Sequence, residues 1–244
     1  MILTVDLHTH ILPGVDDGAV NFAEGLEMLG IAVSNGTSHI VLTPHYLTRD
    51  MRSYGLKKEE LFQRFERFCE AASVRYPDLN LYLGAEMFGA NNIEDIIEND
   101  RIIPINGTKY VLTEFSFGDY LPRALDVTEV LIANGYVPII AHPERYPFIQ
   151  RNPRDIIRFL EKGAMLQINA TSLDNRSGSL TRDVALLFLE NRLAVAISSD
   201  CHSTYQRIPD LSEAYAFVSS NFSSVYAEDL FYNNPLAVVM GKRL

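Results

Sequence analysis

The sequence predicts an α/β barrel whose functional groups gather on one rim. Three observations carry that expectation. Short β-rich runs alternate with longer helical patterns along the whole chain, the pattern of strands joined by crossover helices. Two strand candidates stay apolar through their centres, Ile139-Ile140-Ala141 and Leu193-Ala194-Val195-Ala196-Ile197. Strands covered on both faces of a parallel sheet read this way. The residues able to do chemistry fall at strand ends, where such barrels place their active sites.

Taken in order, strands are expected at residues 2–7, 39–43, 81–86, 109–114, 137–141, 164–169 and 193–198. Between and after them, helices are expected at 22–34, 57–74, 93–98, 124–134, 153–161, 180–191 and about 211–220, with a last one from Pro235. The opening Met1-Ile2-Leu3-Thr4-Val5 has no basic flank and no small-residue cleavage site, so it reads as a first strand and not as a signal peptide. Asn134-Gly135 stops a helix with a residue tolerant of positive φ. Asn152-Pro153 and Asn234-Pro235 each set a capping side chain before a proline at the first helical position. Seven strands are one short of the usual eight for such barrels.

Composition narrows the classes. A chain of 244 residues can bury one large core; a single barrel or two small domains would both fit that length, and the chain is read as one domain, 1–244. No apolar run approaches the roughly 18 residues that span a bilayer. Two cysteines make no disulfide framework, so a reducing cytoplasm is the default compartment. The formal net charge of −10 argues against nucleic acid as a partner. It does not exclude a phosphate ligand, because bound cations reverse the local sign.

The rim carries the chemistry. Expected strand ends run into Asp6-Leu7-His8-Thr9-His10, Thr43-Pro44-His45, Gly84-Ala85-Glu86, Thr113-Glu114, Ala141-His142-Pro143 and Ser199-Asp200-Cys201-His202. Five of the six histidines are there; His39 lies at the start of its strand. Alternate residues on a strand share a face, so His8 with His10, and Asp200 with His202, can each chelate one ion. Asp6 has the same parity but sits deeper, as a structural or supporting group. One strand-end histidine is more often a hydrogen-bonded structural residue; the whole set in register points to metal. A dry mouth does not tolerate so many ionisable groups without partners. Histidine nitrogen mixed with carboxylate oxygen suits zinc, manganese, iron or cobalt better than calcium. The set is too large for one ion. Two or three ions a few Å apart fit it, the arrangement that serves phosphoryl transfer.

These residues resemble the polymerase and histidinol phosphatase (PHP) superfamily, and within it the bacterial protein tyrosine phosphatases encoded with capsule and exopolysaccharide genes. The matching stretches run from Asp6 through His8-Thr9-His10 to Asp16-Asp17-Gly18, then Gly84-Ala85-Glu86, Glu114-Phe115-Ser116, Ala141-His142-Pro143-Glu144-Arg145-Tyr146 and Ser199-Asp200-Cys201-His202, with Asn234-Pro235 in the tail. The resemblance implies a distorted seven-stranded (β/α)7 barrel and a trinuclear metal site. It implies that His8, His10, Glu86 and Asp200 hold a first ion, that Glu86, Glu114 and His142 hold a second, and that Asp17, His45 and His202 hold a third. Manganese is the expected metal, with iron, zinc or cobalt as alternatives. Arg145 would bind the phosphate, with Arg207 a further candidate, and Asp17 could also act as general acid. The implied substrate is phosphotyrosine in the tyrosine-rich tail of a membrane-associated polysaccharide kinase.

Rival readings remain at this stage. Cys-x5-Arg, the spacing of cysteine phosphatases, occurs at Cys69–Arg75 and Cys201–Arg207. Neither has a glycine cradle, the first lies in a helical pattern, and Asp200 next to Cys201 would oppose its thiolate. A small-molecule phosphomonoesterase, such as one acting on histidinol phosphate, is the alternative within the superfamily. A silent regulator and an amidohydrolase are weaker; the latter calls for a strand-end lysine that is missing. The segment 46–55, with Tyr46, Arg49, Arg52 and Tyr54, is expected to shape the pocket or to be a solvated loop.

Overall fold

The computed structural model describes residues 3–47, 57–89, 92–174 and 177–244. In chain order the elements are β1 (Thr4–Thr9), α1 (Phe22–Ser34), β2 (Thr37–Leu42), β3 (His45–Tyr46), α2 (Lys58–Arg75), β4 (Asn80–Leu83), β5 (Glu86–Phe88), α3 (Ile93–Glu98), β6 (Tyr110–Glu114), α4 (Leu121–Ala133) and β7 (Val137–Ala141). There follow α5 (Pro147–Gln150), α6 (Ile156–Lys162), β8 (Met165–Asn169), α7 (Ser179–Glu190), β9 (Ala196–Ser198), α8 (Ser212–Asn221), α9 (Ser224–Glu228) and α10 (Asn234–Val239). Among the described residues the strands form two parallel sheets, one of three strands in the order β1-β2-β4 and one of six in the order β3-β5-β6-β7-β8-β9. A single bridge, Thr9 to Cys201, joins the first sheet to the far edge of the second.

This is the expected α/β alternation, with the strand count corrected. The expected strand 81–86 is broken in two, and an unexpected short strand follows the one at 39–43. Pro44 has no N–H to give a ladder, so β2 stops at Leu42 and His45 starts a separate pairing with Glu86. Gly84-Ala85 interrupts the next strand, between β4 and β5. The last strand covers Ala196–Ser198 only.

Helices coat the outer faces of the strands. In α1 the buried positions Gly25, Met28, Leu29 and Ala32 form one stripe. Asn21 caps this helix, its side chain accepting from the Glu24 N–H at 3.1 Å. Gly135 takes φ +85° and ends α4 as expected. Two capping expectations fail. Asn152 does not cap; its amide donates to the Asp155 carboxylate at 3.0 Å. Asn234 is itself helical, because a π-turn at Asp229–Asn233 runs directly into α10.

The core lies in two clusters. The larger packs helix residues against the outer strand faces. In the smaller, Val5, Leu7, Leu112, Ile139, Ala141 and Ala196 meet Val238 and Val239 of α10. Asn106 donates to the Val239 carbonyl at 3.0 Å and the Tyr110 hydroxyl donates to the Lys242 carbonyl at 2.6 Å. Both residues stand at or just before the start of β6, so α10 closes the strand-start end. The opposite end is left for the polar groups. No helix of the described residues is long and apolar enough to cross a membrane.

Candidate metal centre

Strand ends, the breaks before β3 and β5, and the loop after β1 bring all nine expected ligands together. Their donor atoms fall into four overlapping groups: His8, His10 and Asp200; His8, Glu86 and His142; His45, Glu86 and Glu114; and His10, Asp17, His45 and His202. Within each group the donor atoms lie within 4.8 Å of one another. The grouping is tighter than the sequence suggested, since His8 and His10 each belong to two groups. His39 stands apart, its ring stacked on Tyr82 at 6.0 Å.

Local backbone explains the convergence. His142 and Asp200 follow β7 and β9 in the left-handed region, with φ +37° and +51°, and Arg207 has φ +49°. Non-glycine residues there cost about 1–3 kcal/mol each, a cost that clusters at functional sites. Gly18 lies so close to β1 that an added Cβ would stand 1.9 Å from the His10 carbonyl oxygen. Only glycine permits that approach, which carries Asp16 and Asp17 over His10.

Hydrogen bonds fix the ring tautomers. His8 Nδ1 lies 3.0 Å from Gln167 Oε1, an acceptor, so Nδ1 carries the proton and Nε2 presents a lone pair. His10 Nδ1 lies 2.6 Å from Asp16 Oδ2, with the same consequence. The two Nε2 atoms are 3.2 Å apart. Both also lie within 3.4 Å of Asp200 Oδ1, with His8 Nε2 3.3 Å from Glu86 Oε1 and His10 Nε2 3.4 Å from Glu86 Oε2. His45 Nδ1 approaches Glu86 Oε2 to 2.8 Å, yet neither atom has a hydrogen-bond partner in geometry. His142 Nδ1 is also buried without one. Lone pairs facing lone pairs in a dry site repel unless a cation lies between them or a proton is added. The donor set of imidazole nitrogen and carboxylate oxygen therefore fits divalent transition metals.

The electrostatics point the same way. Burial, and then the Glu86 charge, push the Glu114 carboxyl up to about 8. Burial opposes charge on Asp200, but His8, His10 and Arg207 outweigh it and hold the carboxyl well below its usual range. Burial likewise opposes charge on His8, and Glu86 and Asp200 outweigh it and raise that imidazole. This crowd of carboxylates is what divalent cations would offset.

Asp200 divides its two oxygens. Oδ1 faces the histidines. Oδ2 accepts from Asn169 Nδ2 at 2.6 Å and from Arg145 Nη1 at 3.2 Å, and pairs closely with Arg207. Arg207 Nε also donates to the Asp200 carbonyl at 3.1 Å. Both expected arginines thus reach one point at the mouth.

Four supporting residues carry no role in the sequence reading, although Asp16 and Glu144 lie inside the stretches that match the family. Asp16 accepts from His10 Nδ1 and from the His45 N–H at 3.0 Å. Gln167 and Asn169, neutral amides at alternate positions of β8, hold His8 and Asp200 and bond each other at 3.0 Å. Glu144 is fully buried, its Oε1 accepting from the Asn169 N–H at 3.0 Å and the Ser172 hydroxyl at 2.7 Å. Asp6 sits behind the site as expected, accepting from the Ser199 N–H at 3.1 Å.

The cysteines stand outside this chemistry. Burial, then the Asp6 charge, push the Cys201 thiol up to about 12; the opposing carboxylate is Asp6, not Asp200 as its neighbour in sequence suggested. Burial and Glu66 push Cys69, on α2, up to about 11. Neither is a thiolate at neutral pH. Arg49, Arg52 and Tyr54, expected to shape the pocket or to belong to a solvated loop, lie outside the described residues; Tyr46 is buried in the core.

Comparison with known proteins gives a consistent picture. The family model described as capsular polysaccharide synthesis, CpsB/CapC, matches residues 4–240. CapC of Staphylococcus aureus is 35% identical over 207 residues, 83% of this chain and 78% of that protein. The tyrosine-protein phosphatase YwqE of Bacillus subtilis is 32% identical over 221 residues, 90% of this chain and 85% of that protein. A crystal structure from work on YwqE and CpsB of Streptococcus pneumoniae, described as unique metal-dependent tyrosine phosphatases, superposes with a TM-score of 0.84 at 29% identity, covering 100% of this chain and 96% of the other.

Proposed function

Because this chain belongs to the CpsB/CapC family of capsular polysaccharide synthesis, we propose that it is a metal-dependent phosphatase acting on phosphotyrosine in protein. One observation carries the reading: Asp200 turns one oxygen to paired histidine lone pairs and the other to two arginines. A cation site and an anion site thus meet at one carboxylate.

His8, His10, Glu86 and Asp200 would hold one ion, Glu86, Glu114 and His142 a second, and Asp17, His45 and His202 a third, with manganese the expected metal. Divalent cations, when bound, lower the pKa of water toward neutrality and offset charge developing on a phosphoryl group. The residues do the rest. Arg145 and Arg207 already converge on a carboxylate oxygen, and phosphate oxygens offer them the same charge in a geometry their planar forks match. Asp17 is half exposed, and its hydrogen bond with His202 holds its carboxyl far below the usual range. It stands ionised, which suits a ligand better than a general acid. A phenol leaves with little protonic help, so the reaction loses little by this.

The barrel follows from the same reading. Counting β2 with β3, and β4 with β5, as interrupted staves gives a distorted (β/α)7 barrel over residues 1–244. Support comes from bonds across the interruptions, Gly84 N–H to the Leu42 carbonyl at 2.9 Å and Glu86 N–H to the Pro44 carbonyl at 3.0 Å. The substrate would be the tyrosine-rich tail of a membrane-associated polysaccharide kinase, met in the cytoplasm. The test is competition between substrates on manganese-loaded protein. The kcat/KM for a phosphotyrosine peptide should exceed that for histidinol phosphate by about tenfold or more, on the scale of pocket discrimination. A preference for histidinol phosphate would assign the site to small-molecule chemistry instead.

A further inference from the structure

A phenyl ring stands in water at the mouth of this charged site. Phe117 lies three residues beyond Glu114, in the loop between β6 and α4, and is 47% exposed. The Arg145 guanidinium carbon is 5.3 Å from its ring centroid. The ring of Tyr146, fully buried, is 6.0 Å away and tilted by 53°. Tyr146 in turn meets the His142 ring at 5.6 Å, at 63°. Phe117 is therefore the outermost ring of an aromatic file that begins at a ligand candidate and ends in solvent.

Packing does not account for this exposure. The neighbouring Phe115 and Tyr146 already fill the layer beneath the loop, both buried. A ring beside a cation can seat the guanidinium through its face. Its remaining surface can receive another ring, since aromatic pairs attract at centroid distances of about 4.5–7 Å. The two uses meet at one place. A phosphate ester held by Arg145 must carry its organic group out of the mouth. Phe117 flanks that exit, next to the guanidinium that holds the phosphate. A phenyl ester presents a flat ring there, and a methyl ester or a serine ester presents none.

We propose that Phe117 determines specificity by receiving the aromatic ring of the phosphate ester at the outer edge of the Arg145 site. The inference rests on the phosphatase reading above and adds the residue that selects aryl over alkyl esters.

Two unreactive probes separate the roles: benzylphosphonate, which places a ring as an aryl phosphate does, and methylphosphonate, which has only the anion. Competitive inhibition constants are measured for both on manganese-loaded protein, with phenyl phosphate as substrate. In Phe117→Ala the preference for benzylphosphonate over methylphosphonate should fall about fivefold, the scale of one aromatic pair. Phe117→Tyr should keep the wild-type preference. If Phe117→Ala weakens both probes equally, the ring only seats Arg145 and the inference is overturned. An unchanged preference with neither probe weakened overturns it as well. Wild-type protein that hydrolyses no phenyl phosphate and binds neither probe would overturn the phosphatase reading itself, and this inference with it.

Discussion

Asp200→Asn is expected to lower kcat/KM on a phosphotyrosine peptide by about 10³-fold or more, and to reduce the divalent metal the protein retains. The carboxylate is buried and serves both halves of the site. Oδ1 lies 3.4 Å from the Nε2 atoms of His8 and His10, and Oδ2 takes Asn169, Arg145 and Arg207. An amide keeps the shape but offers one acceptor where two are needed. With its NH2 toward Asn169 and the arginines, donors face donors. With its NH2 toward the histidines, it occupies the lone pairs meant for cations. The first orientation leaves a buried polar mismatch worth about 1–3 kcal/mol before any catalytic loss, and the second satisfies the amide only by blocking the metal donors. Metal analysis beside kinetics checks the point. Wild-type metal content with near wild-type kcat/KM would remove Asp200 from the centre.

Arg145→Ala should lower kcat/KM by about 10²- to 10³-fold, the scale for deleting one preorganised donor to a developing anion. The loss should include a higher KM, while metal content stays at the wild-type level. The reason is position. The guanidinium is 31% exposed and touches Asp200 at Oδ2, on the side away from the histidines. Its removal leaves Asn169 and Arg207 on that oxygen. Arg145→Lys should recover only part of the activity, because an ammonium is a point charge without the two-pronged geometry. Full activity in Arg145→Lys would show that charge alone suffices and that the forked contact is not used.

Much of the site was legible because strand alternation turns spacing into direction. His8 and His10 share a face, and their Nε2 atoms do meet at 3.2 Å. Asp17, His45 and His202 come from three distant stretches, and only the family resemblance joined them before the fold was known. What the sequence hid has physical causes. Gln167 and Asn169 carry no charge, so nothing marked them out in a strand that otherwise reads as core. Asp16 carried no expected role; its contact with His10 depends on Gly18 passing against β1. The breaks at Thr43-Pro44 and Gly84-Ala85 did have signals, a residue without an N–H and a residue without a side chain. The strand reading stopped at Thr43 and missed the short pairing that restarts at His45; at Gly84-Ala85 apolar neighbours outweighed the glycine. Asn152-Pro153 had the right residues for a cap, but the amide found the Asp155 carboxylate nearer. Phe117 had no periodic pattern to belong to, and only the position of Arg145 gives it a role.

The most direct test of the central claim is one assay with two variables. Phosphotyrosine-peptide hydrolysis is measured on wild-type and Cys201→Ser protein, before chelation, after stripping by a chelator, and after Mn²⁺ is returned. The histidine and carboxylate centre predicts that stripping abolishes activity in both proteins, that Mn²⁺ restores it, and that Cys201→Ser stays close to wild type throughout. Activity that survives stripping in the wild type and disappears in Cys201→Ser would contradict it, leaving the rim histidines structural and the buried thiol as the nucleophile.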